Sequence, residues 1–336
     1  MRVDGGIGSD LGRAAVAAGE QEALGYDGLW AAETNHDPFL ALTLAAEHTE
    51  RIQLGTGITV AFARSPMTVA QSAYNLNAFA EGRFLLGLGS QIKAHITRRF
   101  SMPWSQPAAR MREYILAMTA IWEAWETGTK LDFRGDFYQH TLMTPFFDPG
   151  SNPFGAPKVF LAAVGSRMTT VAGEVADGML CHAFTTESYL REVTLPALGD
   201  GLAAGGRTRT DMELSLPAFI VSGTTEEQMA QAAAGVRAQI AFYGSTPAYR
   251  PVLDHHGWGD LQTELNALSK DGRWADMGER IDDEMLAAFA VVAEPDAVAD
   301  VLLARYGDLV DRISFYLPYQ AAPELITETV TQLRAA

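Results

Sequence analysis

Cysteine and positive charge are scarce in this chain. Cys181 is the one cysteine in 336 residues, so an intrachain disulfide is impossible and a cysteine-based metal site is not expected. The 25 lysine and arginine residues are outnumbered by 41 acidic ones, and a formal net charge of −16 argues against nucleic acid or an anionic membrane as a partner. No apolar run approaches the roughly 18 residues of a membrane span, and no charged-then-apolar leader follows Met1. We therefore expect a cytoplasmic protein whose partner is a small-molecule substrate.

The sequence repeats one pattern eight times, an apolar strand followed by a helix. Runs that are apolar on both faces predict strands at Arg2–Ile7, Gly28–Glu33, Ile52–Val60, Phe84–Leu88, Val159–Val164, Gly178–His182, Glu213–Val221 and Arg312–Leu317. Helical spacing predicts helices at Ser9–Leu24 (capped by Ser9), Phe39–Thr49, Thr68–Phe79, Pro107–Trp125, Ser166–Ala176, Glu187–Leu202, Thr225–Phe242 and Pro295–Tyr306. Eight such units predict an α/β fold, a (β/α)8 TIM barrel that forms a single domain over residues 1–336. A Rossmann-type sheet is the alternative, but it would use fewer of the strands.

Two long segments interrupt the repeat. Gly128–Pro157 follows the fourth strand, is rich in proline, glycine and aromatic residues, and contains a hairpin-like stretch at Leu131–His140. Gly244–Asp283 follows the seventh strand. Loops of this length in a compact domain are usually lids or oligomer contacts. We therefore expect insertions after strands 4 and 7.

Glycine-rich segments end the third and fourth strands, as Leu54-Gly-Thr-Gly-Ile58 and Gly87-Leu-Gly-Ser-Gln91. Folds with parallel strands bind their ligands outside the carboxyl ends of those strands. Glycine at such a position lets the backbone approach a ligand closely. The functional site is therefore expected at this end of the barrel.

Several short motifs occur in a fixed order along most of the chain. They are Tyr26-Asp-Gly-Leu-Trp-Ala-Ala-Glu33 with His36 after it, Leu54–Ile58, Gly82–Gln91, Val159–Ser166, Ala176–Gly178 and Val291–Asp296. In order and spacing they resemble the bacterial luciferase-like family, and within it the branch that uses coenzyme F420, a deazaflavin. The resemblance implies a luciferase-like barrel that forms a homodimer. It also implies an oxidoreductase that transfers a hydride between the deazaflavin ring and a small organic substrate.

The resemblance implies which residues lie beside the cofactor ring. It places a non-prolyl cis peptide bond between Gly57 and Ile58, where strand 3 ends, behind the central ring. It places Gly89, Ser90 and Gln91, at the end of strand 4, at the edge of the ring. The Gln91 amide can both donate and accept hydrogen bonds, which suits a pyrimidine-like edge.

Further residues would hold the charged parts of the cofactor. Val164, Gly165 and Ser166 stand where strand 5 turns into a helix, and the resemblance implies that they bind the phosphate, with Ser166 also capping the helix. The basic run Lys93–Arg99 would then face the oligoglutamate tail of coenzyme F420. His182, at the end of strand 6, is expected to point to the same mouth.

The candidate catalytic residues follow strand 2. Related sugar-phosphate dehydrogenases carry an acidic residue followed directly by histidine here, whereas this chain has Glu33, then Thr34, and its nearest histidine is His36. Histidine can exchange a proton near neutral pH. If His36 does not reach the pocket, the base for oxidising an alcohol is missing, and a reductase or another substrate class is favoured.

Other functions remain compatible with the sequence. An FMN-dependent luciferase-like monooxygenase would use the same fold but would leave the Lys93–Arg99 run without a tail to bind. A non-catalytic barrel that binds a flavin is a third possibility. A metal-dependent hydrolase is disfavoured because strand 1 ends in Asp4-Gly-Gly without histidine, and the adjacent His255 and His256 are poorly spaced to bind one ion.

Overall fold

Eight parallel strands close into a barrel in the computed structural model, which describes residues 1–8 and 10–336. The strands are β1 (Arg2–Ile7), β2 (Gly28–Ala31), β3 (Gln53–Thr56), β4 (Phe84–Gly89), β5 (Lys158–Ala162), β6 (Gly178–Leu180), β7 (Glu213–Val221) and β8 (Arg312–Tyr316). Each strand pairs with the next in chain order, and β8 pairs back to β1 with Arg312 opposite Arg2. The prediction of a TIM barrel is confirmed.

Helices surround the barrel. They span Leu11–Leu24, Pro38–Glu47, Pro66–Phe79, Pro107–Thr127, Ser166–Val175, Glu187–Tyr189, Leu195–Ala204, Glu226–Gly244, Arg250–His255, Gly259–Lys270, Trp274–Gly278, Asp283–Phe289, Val298–Tyr306 and Pro323–Ala335. The predicted cap Ser9 lies outside the described residues, and the Asp10 side chain accepts a hydrogen bond from the Gly12 N–H at 2.9 Å to cap the first helix. Over residues 1–8 and 10–336, no helix has the length and apolar character that crossing a membrane requires.

The third strand differs from the predicted run Ile52–Val60. It ends at Thr56, and a second short strand, Thr59–Val60, pairs with the end of β4. Between the two lies a cis peptide bond joining Gly57 to Ile58. The bond is at the predicted position, and the continuous strand is the part of the prediction that is wrong.

The two insertions differ in how well the sequence predicted them. The segment after β4 contains the expected antiparallel hairpin, Phe133–Arg134 with Gln139–His140. The segment Gly244–Asp283, interpreted as a loop, is instead largely helical. Its apolar side chains, such as Val252, Leu253 and Leu265, form a second core cluster with the helix Glu226–Gly244. Burial of these side chains stabilises the short helices.

Two further elements were not predicted. Ala290–Val292 forms a short parallel strand beside the end of β7, and three residues are too few to show a periodic pattern. The helix Pro323–Ala335 buries Leu325, Val330 and Leu333 on one face. Its proline in the first turn and its apolar spacing were visible signals of a helix.

A hydrogen-bonded ion pair fills the amino-terminal half of the barrel interior. Arg312 of β8 donates to both carboxylate oxygens of Asp4 at 2.8 Å, and also to Gln53 of β3 and Glu213 of β7. The Trp30 indole N–H donates to the same Asp4 carboxylate at 2.8 Å. These side chains come from five strands and contact one another, so they mark the residues of each strand that face inward.

Candidate active site

Glycines line the carboxyl-end rim of the barrel at β1, β3 and β4, and the Trp30 side chain packs against Gly55 and Gly57 at the end of β3. Gly6 lies two residues after the inward-facing Asp4, and a Cβ added to it would meet only a backbone oxygen, 3.8 Å away. A Cβ on Gly89, at the end of β4, would come within 2.7 Å of the Ile58 side chain. Ile58 therefore lies across the end of β4. This side of the rim consists of glycine backbone and the apolar side chains of Trp30 and Ile58.

The opposite side of the rim, at β7 and β8, is aromatic. Tyr316 is four residues after Arg312, and Phe219 is six residues after Glu213, so both share the inward face of their strands. Their ring centroids are 4.9 Å apart. Tyr243, from the helix that follows β7, places its hydroxyl 2.8 Å from that of Tyr316. The rim therefore has a glycine side and an aromatic side facing each other.

His182 extends the aromatic side at the end of β6. Its Nδ1 accepts a hydrogen bond from the Phe184 backbone N–H at 3.0 Å, so the ring proton of the neutral imidazole must be on Nε2. That nitrogen lies 3.0 Å from the Tyr249 hydroxyl, and the two rings stack with centroids 4.5 Å apart. Burial lowers the pKa of His182 to about 4, so the imidazole is neutral at pH 7.

A helix start lies between the two sides, at the end of β5. Gly165 occupies the cap position because its carbonyl accepts the bond from the Met168 N–H, and no side chain caps the helix. The prediction that Ser166 is the cap is therefore wrong; Ser166 is the first helical residue. A Cβ on Gly165 would meet no atom within 4 Å. Nearby, Val164 lines a cavity with Thr185, whose buried hydroxyl lacks a hydrogen-bond partner among the described residues.

Glu33 is held in an ion-pair cluster. One carboxylate oxygen lies 2.8 Å from the Arg64 guanidinium, and the other accepts the Val60 backbone N–H at 2.8 Å. Arg64 also pairs with Asp37 at 3.1 Å. Both oxygens of Glu33 are thus occupied and its side chain is 8% exposed, so the carboxylate orders the loop in this geometry.

The other two catalytic candidates lie on the loop that Arg64 fixes at both ends. Thr34 and His36 are exposed, and His36 makes no side-chain hydrogen bond within the described part of the chain. The Thr34 hydroxyl lies 3.0 Å from the Asn35 side-chain oxygen. The Thr34 carbonyl accepts a hydrogen bond from Arg99, which links this loop to the segment after β4.

The residues after β4 lie close together and are partly exposed. The Ser90 hydroxyl donates to the Gln91 carbonyl at 3.1 Å, and the Gln91 side-chain oxygen accepts the Ile92 N–H at 3.0 Å. Gln91 has a φ of 59°, a left-handed conformation that reverses the chain here. Lys93 and Arg98 are exposed and have no ion-pair partner in residues 1–8 and 10–336.

Several residues of this region were not found from the sequence. Tyr243 and Tyr249 lie in or beside the insertion interpreted as a loop, so no sequence pattern placed Tyr243 near β8 or Tyr249 near His182. Arg64 lies shortly before the predicted helix Thr68–Phe79, where it could have been recognised as a partner for Glu33. Cys181 is buried, and burial raises the pKa of its thiol to about 12, which disfavours a nucleophilic role. Among the described residues, no group of three or more His, Cys, Asp or Glu could hold a metal ion.

The model of the luciferase-like monooxygenase family matches residues 2–312. The chain belongs to this family. An uncharacterized protein of Mycobacterium tuberculosis is 54% identical over 93% of this chain and 92% of its own length. The 5,10-methylenetetrahydromethanopterin reductase of Archaeoglobus fulgidus is 27% identical over 83% of this chain and 81% of its own length. The solved structure of the coenzyme F420 dependent tetrahydromethanopterin reductase of Methanopyrus kandleri has a TM-score of 0.77 over 99% of this chain and 98% of that one, and at 20% identity it shows a shared fold.

Proposed function

We propose that this member of the luciferase-like family is an oxidoreductase that uses coenzyme F420 and acts on a small organic substrate. The observation that carries the proposal is the division of the rim. Glycine backbone and Ile58 form one side, aromatic rings form the other, and the uncapped helix start at Ser166 lies between them. The reductases named among the relatives support it, since the Methanopyrus kandleri enzyme depends on coenzyme F420.

The glycine side fits a flat tricyclic ring. Gly6 and Gly89 carry no side chain into the rim, and Ile58 offers an apolar contact. Gln91 uses its side-chain oxygen on the Ile92 N–H, so its amide nitrogen keeps two N–H donors for a polar ring edge. These residues would hold the ring, with Gly57 and Ser90 beside it.

The helix start fits a phosphate group. The first N–H groups of the helix that begins at Ser166 have no side-chain cap, and such groups bind anions. Gly165 leaves open space in front of them. Next to the cap residue, Val164 lines a small cavity with His182 and Thr185, whose hydroxyl lacks a hydrogen-bond partner among the described residues.

Coenzyme F420, when bound, would supply a two-electron hydride carrier. The protein would position the substrate and transfer the proton. Arg64 fixes the loop from Glu33 to Asp37 at both ends, which holds Thr34 and His36 at the rim. We assign proton transfer to His36, hydrogen bonding of substrate to Thr34, and positioning of their loop to Glu33.

FMN is the second candidate cofactor because the family is described as one of monooxygenases. The glycine side and the helix start would suit its ring and phosphate equally well. The exposed Lys93 and Arg98 favour coenzyme F420, since FMN lacks the oligoglutamate tail that they would bind. We also propose a homodimer, the commonest assembly of soluble proteins; light scattering of the purified protein would show twice the chain mass.

A Gly165→Ala variant tests the phosphate site. The added methyl group meets no protein atom within 4 Å, so we expect unchanged stability, whereas a phosphate at the helix start would be displaced and the affinity for coenzyme F420 would fall about tenfold. Gly199→Ala is the matched control, because a Cβ there also meets nothing within 4 Å. Titration of each variant with coenzyme F420, followed by cofactor fluorescence, gives the affinities. Equal affinity in both variants would contradict the assignment.

A further inference from the structure

The aromatic side of the rim, called here the tyrosine wall, is made of the partly exposed His182, Tyr243, Tyr249 and Tyr316, with the buried Phe219 packed behind them. Neighbouring rings contact each other, with centroid separations of 4.5 to 4.9 Å for His182–Tyr249, His182–Tyr243 and Phe219–Tyr316. The hydroxyl contact between Tyr243 and Tyr316 joins these pairs. The wall stands at the ends of β6, β7 and β8, and the glycine side of the rim stands at β1, β3 and β4. A molecule bound at the rim on this side would contact the rings of the wall.

Two tyrosine hydroxyl protons of the wall have no hydrogen-bond acceptor among the described residues. The proton of neutral His182 is on Nε2, so Tyr249 accepts that hydrogen bond and keeps its own O–H proton without an acceptor in the described chain. In the Tyr243–Tyr316 pair, one hydroxyl donates to the other, and the second proton is again left over. The wall therefore offers two hydrogen-bond donors to a ligand.

The wall is uncharged. In residues 1–8 and 10–336, no lysine, arginine, aspartate or glutamate forms a hydrogen bond or ion pair with its side chains. Burial raises the pKa of Tyr249 to about 12 and raises that of Tyr243 as well, so both phenols are protonated at neutral pH. Protonated phenols can donate hydrogen bonds to a neutral carbonyl oxygen. An anionic ligand would lose its hydration on binding, and a wall without cations would not compensate for that loss.

We propose that the tyrosine wall is the substrate-binding surface, and that it binds a neutral, flat compound whose carbonyl oxygen accepts a hydrogen bond from Tyr249. Stacking on the rings would orient the flat face, and the spare donors would fix the carbonyl. This inference rests on the proposed function, because it assigns the substrate class of the same site. It adds Tyr249 as a specificity-determining residue and His182 as the positioning residue that orients its hydroxyl.

The test uses 2-acetylnaphthalene as a neutral probe and 6-acetyl-2-naphthoate as its anionic counterpart. Calorimetric titration of the protein loaded with oxidised coenzyme F420 measures probe binding without turnover. We expect Tyr249→Phe, which keeps the ring and removes the hydroxyl, to weaken binding of the neutral probe about tenfold and to leave the affinity for coenzyme F420 unchanged. Tyr306→Phe is the matched control, since Tyr306 is buried outside the barrel in the helix Val298–Tyr306. We expect the anionic probe to bind at least tenfold more weakly than the neutral one.

The wall proposal is overturned if Tyr249→Phe and Tyr306→Phe bind the neutral probe equally well, if the anionic probe binds as tightly as the neutral one, or if the loaded protein binds neither probe. Coenzyme F420 affinity is measured separately and first. A protein that fails to bind coenzyme F420 contradicts the proposed function, and the probe titration is then run on the protein without cofactor, where a tenfold loss in Tyr249→Phe still supports the wall as a binding surface.

Discussion

Glu33 and Arg64 form an ion pair, 2.8 Å between Oε1 and Nη2, that ties the loop after β2 to the segment after β3. The Glu33 backbone N–H also donates to the Ile58 carbonyl at 3.2 Å. One residue thus connects the loop carrying His36 with the apolar side chain on the glycine side of the rim. The two regions assigned to proton transfer and to ring binding therefore share a single anchor.

Glu33→Gln should lower the free energy of unfolding by about 2 kcal/mol. The change removes the charge that pairs with Arg64, whose Nε already lacks a partner among the described residues, and both side chains are largely buried. Denaturant unfolding measures the loss. The matched control is Asp132→Asn, because the Asp132–Arg134 pair is at least half exposed and should contribute less than about 0.5 kcal/mol. Losses of equal size would show that the Glu33 pair has no special role.

The buried His182 should make stability depend on pH. Its pKa is lowered from 6.5 to about 4 on folding, so between these values the unfolded chain binds more protons than the folded one. The free energy of unfolding must then fall as the pH drops through this window, by about 2 kcal/mol between pH 7 and pH 5 from this residue alone.

His182→Gln separates this contribution from that of the carboxylates. The variant should be less stable at pH 7 but should lose about 2 kcal/mol less than the original protein between pH 7 and pH 5. Denaturant unfolding at the two pH values gives the difference. Parallel curves for both proteins would mean that His182 is already protonated, or solvent-accessible, in the folded state.

Arg98 and Arg99 should differ in their effect on cofactor binding. Arg98 is exposed, so Arg98→Ala should weaken coenzyme F420 about threefold and leave unchanged the binding of a deazaflavin that lacks the phosphate and tail. Arg99 also donates to the Thr34 carbonyl, so Arg99→Ala should weaken both forms by loosening that loop. Fluorescence titration distinguishes them. An equal loss of both forms in Arg98→Ala would argue against a tail-binding role.

The barrel could be predicted because its strands are apolar on both faces and recur with helices, as in Glu213–Val221, whose bounds were predicted correctly. The helices of Gly244–Asp283 could not, because each is short and is stabilised by tertiary burial of side chains such as Leu265. The glycine side of the rim was visible as sequence motifs. The tyrosine wall was not, since Tyr249 and His182 are 67 residues apart and meet only through the insertion.

Every cofactor-binding role assigned above requires that the rim binds coenzyme F420. Purified protein titrated side by side with coenzyme F420 and with FMN, under the same buffer and salt, tests it most directly. We predict that coenzyme F420 binds saturably, and that it binds at least tenfold more tightly than FMN because its tail adds contacts to those of the ring. Tighter binding of FMN, or no binding of either cofactor, would contradict the account.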